Sequence, residues 1–425
     1  METVRLGSTG ADVELLQLTL TRAGFSPGAI DGVFGAATRR ALVQYQQSAG
    51  IPADGIAGPQ TWNSLVKYIQ GYTTRQLVRG DTLFRIANTY NTTVRAITGA
   101  NPGLNANNLR IGQTIIVPFG FPVVPTNISY SFHLTTFVIN GLLARYPFIR
   151  TTVIGRSVMG KNITAMIIGN GPVEVSYNAS HHANEWITTP VVLRYLEEYA
   201  AAYRDGGTIF NTPASTLYNR TTLYLIPLVN PDGVDLVNGI IRSGPYYRTA
   251  VQISEDYPDI PFPDGWKANI SGTDLNLQYP AGWELAKEIK FAQGFTSPAP
   301  RDFVGTAALS APESRAMHQF TSNHNFSLIL AYHTQGEIIY WKYLDYLPPR
   351  SQEIALKMGD ASGYTVEETP YASGHAGYKD WFIQQYNRPG YTIECGRGEN
   401  PLPISQFDQI YSDNVGIMTL GMTEA

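Results

Sequence analysis

The chain is poor in cysteine, poor in charge and free of long apolar runs. Cys395 is its only cysteine in 425 residues, which excludes a disulfide framework and says little about compartment. Charged residues make up only 15% of the chain and the formal net charge is −4. Clustered Lys and Arg for neutralising phosphates are therefore missing, and nucleic acid is not expected as a partner. No apolar stretch approaches the roughly 20 residues that span a bilayer, so no membrane span is expected. Met1 to Arg5 carries neither the basic region nor the apolar core of a secretory signal, which leaves any export route open.

What is present suits a globular, loop-rich protein of two or three domains. Hydrophobic residues reach 43%, with 40 Gly, 27 Pro and 26 Tyr, a composition common among extracellular or wall-exposed hydrolases. Residues 1–70 carry apolar residues at helical spacing from Asp12 to Leu20 and again from Ala36 to Ala49. Asp31-Gly32 and Asp54-Gly55 repeat one tight turn, each followed by a Thr near a helix start, Thr38 and Thr61. This duplication resembles the three-helix peptidoglycan-binding domain of bacterial wall hydrolases.

Residues 74–119 read as strand, helix, helix, strand. Gly80-Asp81-Thr82-Leu83 opens a helix capped by Asp81 or Thr82, and a second helix runs from Thr93 to about Ala100. It stops at Asn101-Pro102-Gly103, and Leu109 to Pro118 closes with a strand. The order and the motifs resemble a LysM domain. That resemblance implies binding to N-acetylglucosamine-containing glycan strands, at the Gly80–Leu83 and Asn101–Leu104 turns. A short Pro-rich join, Phe119 to Pro125, follows.

Residues 126–425 suit one large domain. Strand-like runs at 164–169, 173–177, 222–228 and 327–333 alternate with helical ones at 137–145, 189–203, 311–323 and 351–358. The alternation predicts a mostly parallel or mixed sheet covered on both faces. Ser180-His181-His182-Ala183-Asn184-Glu185-Trp186 falls between a strand and a helix. A histidine and a carboxylate three residues apart there can aim at one metal ion. His333 ends a mostly apolar run far downstream, and a His-Glu-His set with one open position is what a catalytic zinc requires. Glu394 lies in the apolar run Tyr391-Thr392-Ile393-Glu394-Cys395, where a carboxylate is costly without a role, and it is the candidate general base.

His182 to Trp186, Asn230 to Gly233, Trp266 to Asn269, Gly272 to Asn276, His333 to Gly336 and Tyr391 to Glu394 stand in the order of the carboxypeptidase A-type zinc metallopeptidases, which the segment resembles throughout. The resemblance implies an α/β/α sandwich around a mixed, twisted sheet, with one Zn²⁺ held by His182, Glu185 and His333 and with Glu394 as base. Its HxxE spacing selects His182 over His181. Lys267 takes the place of the arginine that steadies the oxyanion, with Arg242 and Arg248 as rival cations. Tyr371 is the candidate for the substrate-contacting tyrosine, and Asn276 for a substrate contact. Where such enzymes carry an arginine after this asparagine, to clamp a terminal carboxylate, the chain has Leu277. Lys379 occupies a specificity position and suits an anionic group such as the distal carboxylate of diaminopimelate.

Among wall-directed members, the arrangement resembles the peptidases that cut peptidoglycan stem peptides at the γ-D-glutamyl-diaminopimelate bond. The expected setting is the cell wall, extracellular or spore-associated, with two modules tethering the enzyme to its substrate. A broader carboxypeptidase anchored to the wall, or a non-catalytic wall-binding protein, are the competing readings.

Overall fold

The computed structural model describes residues 1–425 and divides them into two compact units. One holds residues 1–129, 133–150 and 200–207; the other holds 130–132, 151–199 and 208–425. The two N-terminal modules fall in one unit, which also takes in residues 133–150 and 200–207. Arg145 accounts for part of this, because its guanidinium donates to the carbonyls of Gly71, Phe119 and Phe121. Phe119 stacks on Tyr68 and on Phe121, with ring centroids 5.3 and 5.5 Å apart. The Pro-rich join is a packed element as well as a spacer.

Three helices, Ala11–Arg22, Ala36–Ser48 and Pro59–Gln70, form the first module. Each Asp-Gly turn is read by a buried glutamine. Gln17 donates to Asp31, Val33 and Thr38 and accepts from the N–H groups of Asp31 and Gly32. Gln46 repeats this with Asp54, Ile56, Thr61 and Gly55. Burying an amide is tolerated where its donors and acceptors all find partners, and here the duplication supplies them twice.

In the second module Tyr72–Gln76 pairs antiparallel with Thr114–Pro118, and helices Leu83–Thr89 and Val94–Ala100 lie between them. The first strand ends before Leu77-Val78, because Asp81 accepts the Val78 N–H and pairs with Arg75 at 2.7 Å, which makes a turn there. Thr82 is the helix cap, accepting from the Arg85 N–H.

The largest sheet has eight strands. From one edge they are Thr365–Glu367, Ile338–Tyr340, Gly390–Glu394, Phe326–His333, Val173–Ala179, Thr221–Ile226, Asn162–Gly169 and Arg150–Arg156. The four strands from Gly390–Glu394 to Thr221–Ile226 run parallel, while Ile338–Tyr340 and Asn162–Gly169 run against their neighbours in that group. The result is a mixed sheet. Alternation along Phe326–His333 sends side chains to two helical layers. Ile329 and Ala331 pack with Tyr378, Trp381 and Phe382 of helix Tyr378–Tyr386. Leu330 meets Gly421 of helix Phe407–Thr423, where Tyr177 also donates to the Met418 carbonyl at 2.6 Å. Strands buried on both faces read as nearly continuous apolar runs, as these do.

Candidate active site and metal centre

Three parallel strands deliver the site at their carboxyl ends, where open α/β sheets place their ligands. Val173–Ala179 runs into Ser180, whose φ of +54° turns the chain sharply. Thr188 and Thr189 at the start of helix Thr188–Asp205 hold the Ser180 hydroxyl at 3.1 and 2.8 Å. A single 3₁₀ turn, Ala183–Glu185, then brings His182 and Glu185 to one side. Phe326–His333 ends on His333, and Gly390–Glu394 ends on Glu394, its register partner.

His182 Nδ1 lies 3.0 Å from Glu185 Oε1 and 3.2 Å from His333 Nδ1, and His333 Nδ1 lies 2.9 Å from Glu185 Oε2. All three residues are buried. Two nitrogens bound tetrahedrally to one zinc at about 2.05 Å stand roughly 3.3 Å apart, so the spacing fits that ion. The two imidazoles and one carboxylate are also the donor set of a catalytic site with a free position. His182 Nε2 sits 3.1 Å from Asp274 Oδ1. That bond fixes a proton on Nε2 and leaves the Nδ1 lone pair for a metal.

Electrostatics agree with a buried cation site. Burial alone would raise the Glu185 carboxyl, but His182, Lys267 and His333 around it hold it well below the usual range. Burial would depress His182, yet Glu185 and Asp274 outweigh it and raise the imidazole to about 9. A proton therefore does the cation's work in the metal-free protein. His333 is lowered, mainly by burial. His181 is fully buried, bonded to the Tyr279 hydroxyl at 3.0 Å and stacked on His333, and burial lowers it strongly. It backs the site as a neutral packing group. Glu394 is pushed up to about 8, first by burial and then by the Glu185 charge.

These residues open onto a cleft of about 270 Å³. Lys267, Asn276, Leu277, Lys379 and Glu394 line it together with His182 and His333. The Lys267 ammonium is 3.0 Å from Glu185 Oε1. Asn276 accepts the Tyr378 N–H at 3.0 Å. Lys379 is 3% exposed and donates to the Lys342 carbonyl and the Thr369 hydroxyl.

Other expected residues lie elsewhere. Tyr371 is 65% exposed and lines a neighbouring hollow that shares only Thr369 with the cleft. Arg242, which donates to the Gly239 carbonyl, and Arg248, on helix Gly244–Glu255, are exposed and do not line the cleft. The cations that do reach it, besides Lys267 and Lys379, are Lys290 and Arg301. Neither belongs to a recognisable motif. Asp274 stands inside the Gly272–Asn276 motif, and that position was the available signal for its contact with His182.

The sequence profile of the zinc carboxypeptidases matches residues 136–416. The chain belongs to that family. A putative peptidoglycan binding domain matches residues 9–65 and a LysM domain residues 77–118. Gamma-D-glutamyl-L-diamino acid endopeptidase 1 of Lysinibacillus sphaericus is 44% identical over 297 residues, covering 69% of this chain and 72% of that protein. The uncharacterized protein YqgT of Bacillus subtilis (strain 168) is 41% identical over 276 residues, covering 64% of this chain and 72% of that one. The crystal structure of carboxypeptidase A from Helicoverpa armigera superimposes with a TM-score of 0.54 at 17% identity, over 99% of this chain and 98% of that one, which shows the shared fold. The protein is thus a zinc metallopeptidase joined to two wall-polymer-binding modules. None of its helices is long and apolar enough to cross a membrane.

Proposed function

We propose that this protein hydrolyses the amide between the γ-carbonyl of D-glutamate and diaminopimelate in peptidoglycan stem peptides, at the cell wall, extracellularly or in the spore. One observation carries the reading: Leu277 and the buried Lys379 line the same cleft. The leucine offers nothing to a terminal carboxylate at the place where a clamp would stand. The lysine sets an ammonium in the cleft wall, braced by the Asp380 carboxylate 2.5 Å away, for the side chain after the cleaved bond to meet. The 44% identical relative named for γ-D-glutamyl-L-diamino acid endopeptidase activity supports the same bond, as do the two wall-polymer modules.

Zinc, held by His182, Glu185 and His333, supplies the Lewis acidity that amide hydrolysis needs. Glu394 takes the proton of the attacking water and returns it to the leaving amine. Lys267 faces the oxyanion with a point charge, which stabilises charge without the two-pronged geometry of an arginine. Asp274 keeps His182 in its Nε2–H form. Asn276, anchored by the Tyr378 N–H, has its amide nitrogen left to donate to the substrate. Lys379 pairs with the distal carboxylate of diaminopimelate. Tyr371 is assigned no step, since it contacts the substrate only if its loop moves inward.

The test sets a purified muropeptide stem against an L-peptide with a free C-terminus. The stem is cut and the L-peptide is left whole on this reading; rapid trimming of the L-peptide beside an intact stem removes the substrate assignment.

A further inference from the structure

We propose that Arg301 recognises the glutamyl residue on the acyl side of the cleaved bond, by pairing with its free α-carboxylate. This rests on the substrate reading above. A γ-linked glutamate keeps its α-carboxylate, separated from the reacting carbonyl by Cα and two methylenes. An ordinary α-linked residue other than glutamate carries no carboxylate at that separation; an α-linked glutamate does, and differs only in where its nitrogen branches.

A second cavity, reaching Asn184, Asp264 and Asn400, adjoins the cleft that contains Lys379. Lys267, Arg301, Tyr340 and Glu394 line both. The reacting bond belongs at this junction, beside the base and the oxyanion cation. With the amine side directed to Lys379, the acyl side enters the second cavity past Arg301.

The loop carrying Arg301 is stitched to the site by its backbone. The Pro300 carbonyl accepts the N–H groups of Lys267 and Ala268 at 2.8 and 2.9 Å. Asp274 donates its N–H to the Phe303 carbonyl at 2.9 Å and accepts the Asp302 N–H at 3.2 Å. Asp302 lies between two cations, 2.6 Å from Lys290 Nζ and 2.7 Å from Arg301 Nε. One carboxylate is shared by these two positive groups, and Asp259, Asp264 and Glu399 line the second cavity as well, so Arg301 and Lys267 are the cations an entering carboxylate meets there. Asp302 holds the guanidinium by its Nε edge; the two terminal nitrogens make no hydrogen bond within the protein, and the side chain is 45% exposed. A guanidinium braced on one edge and open on the other is suited to a two-pronged bond with a carboxylate.

The experiment compares a γ-D-glutamyl-diaminopimelate stem with the same stem carrying D-isoglutamine, whose α-carboxylate is a carboxamide. Zinc-loaded full-length parent, Arg301→Gln and Arg301→Lys are assayed, with zinc content confirming an intact site in each. The parent is expected to prefer the carboxylate stem by about 10- to 100-fold in kcat/KM, chiefly through KM. Arg301→Gln erases the preference by losing only the carboxylate stem, and Arg301→Lys restores part of it. A parent that cuts both stems equally, or a glutamine variant that keeps the preference, overturns the proposal. Failure of the parent to cut either stem overturns instead the substrate reading beneath it. If Arg301→Gln does not hold zinc, the parent's preference and the lysine variant decide.

Discussion

His333 and Glu394 end two neighbouring parallel strands in register, each the partner of the other across the sheet. Because side chains alternate along a strand, residues paired in register project to the same face. The candidate base is thereby fixed beside a candidate ligand by backbone pairing, with no loop between them. Its reach depends on side-chain length. Glu394→Asp keeps the charge and withdraws it by one methylene, so kcat should fall by about 100-fold or more, while zinc content and KM stay near the parent's. Steady-state kinetics with metal analysis check this, and an aspartate variant of near-normal kcat contradicts it.

Zinc affinity should depend on pH through His182. In the metal-free protein that imidazole is raised to about 9 by Glu185 and Asp274, against the depressing effect of burial. Its Nδ1 must lose a proton before it can bind, so affinity drops roughly tenfold for each pH unit below about 9. Competition with a chelator at pH 6, 7 and 8 measures the slope. Asp274→Asn removes one of the carboxylates that raise His182 and frees the ring to turn, which costs about 10- to 100-fold in affinity and flattens the pH profile.

Glu313 sets a different pH dependence, in stability. It is fully buried on helix Pro312–Ser322, accepts from the Val158 N–H and the Asn269 amide, and is raised to about 7 by burial above all, with Asp232 adding. The folded state therefore binds this proton more tightly than the unfolded chain, whose value is near 4.5. The contribution to stability is complete below about pH 4.5 and is lost as pH rises through about 7, at a cost on the order of 3 kcal/mol. Glu313→Gln does not titrate. Relative to the parent, its melting temperature should improve between pH 5 and pH 8; a constant difference by calorimetry counts against the argument.

Lys379 should govern the choice of side chain. Lys379→Met, made together with Asp380→Asn so that no buried carboxylate loses its partner, keeps most of the bulk and removes the charge. On diaminopimelate stems kcat/KM should fall about 10- to 100-fold, while stems with L-lysine, which lack the distal carboxylate, change little. Equal losses on both stems would show that the residue supports the fold of the pocket without reading the substrate.

Residues that reach the site through short motifs were legible in advance. His182, Glu185, His333 and Glu394 each end a strand or follow one directly, so local pattern and location coincide. Arg301 and Lys290 were not legible, because the loop of Arg301 reaches the site through backbone bonds of Pro300 and Asp302, and Lys290 joins it by a long-range ion pair with Asp302. Arg242 and Arg248 looked like candidates only by nearness in sequence to the motifs. Gln17 and Gln46 are ordinary helix residues until the folded turns surround them. Helix Phe407–Thr423 contains Gly416 and Gly421, residues that weaken a helix in isolation. In the fold they permit close contact with Phe210 and Tyr177, where a Cβ would clash.

The most direct test of the account is mass spectrometry of purified muropeptides after digestion, with Glu394→Gln as the control. The account predicts products split between D-glutamate and diaminopimelate, with none formed by the variant. Cleavage at any other bond, or unchanged products from Glu394→Gln, would contradict it.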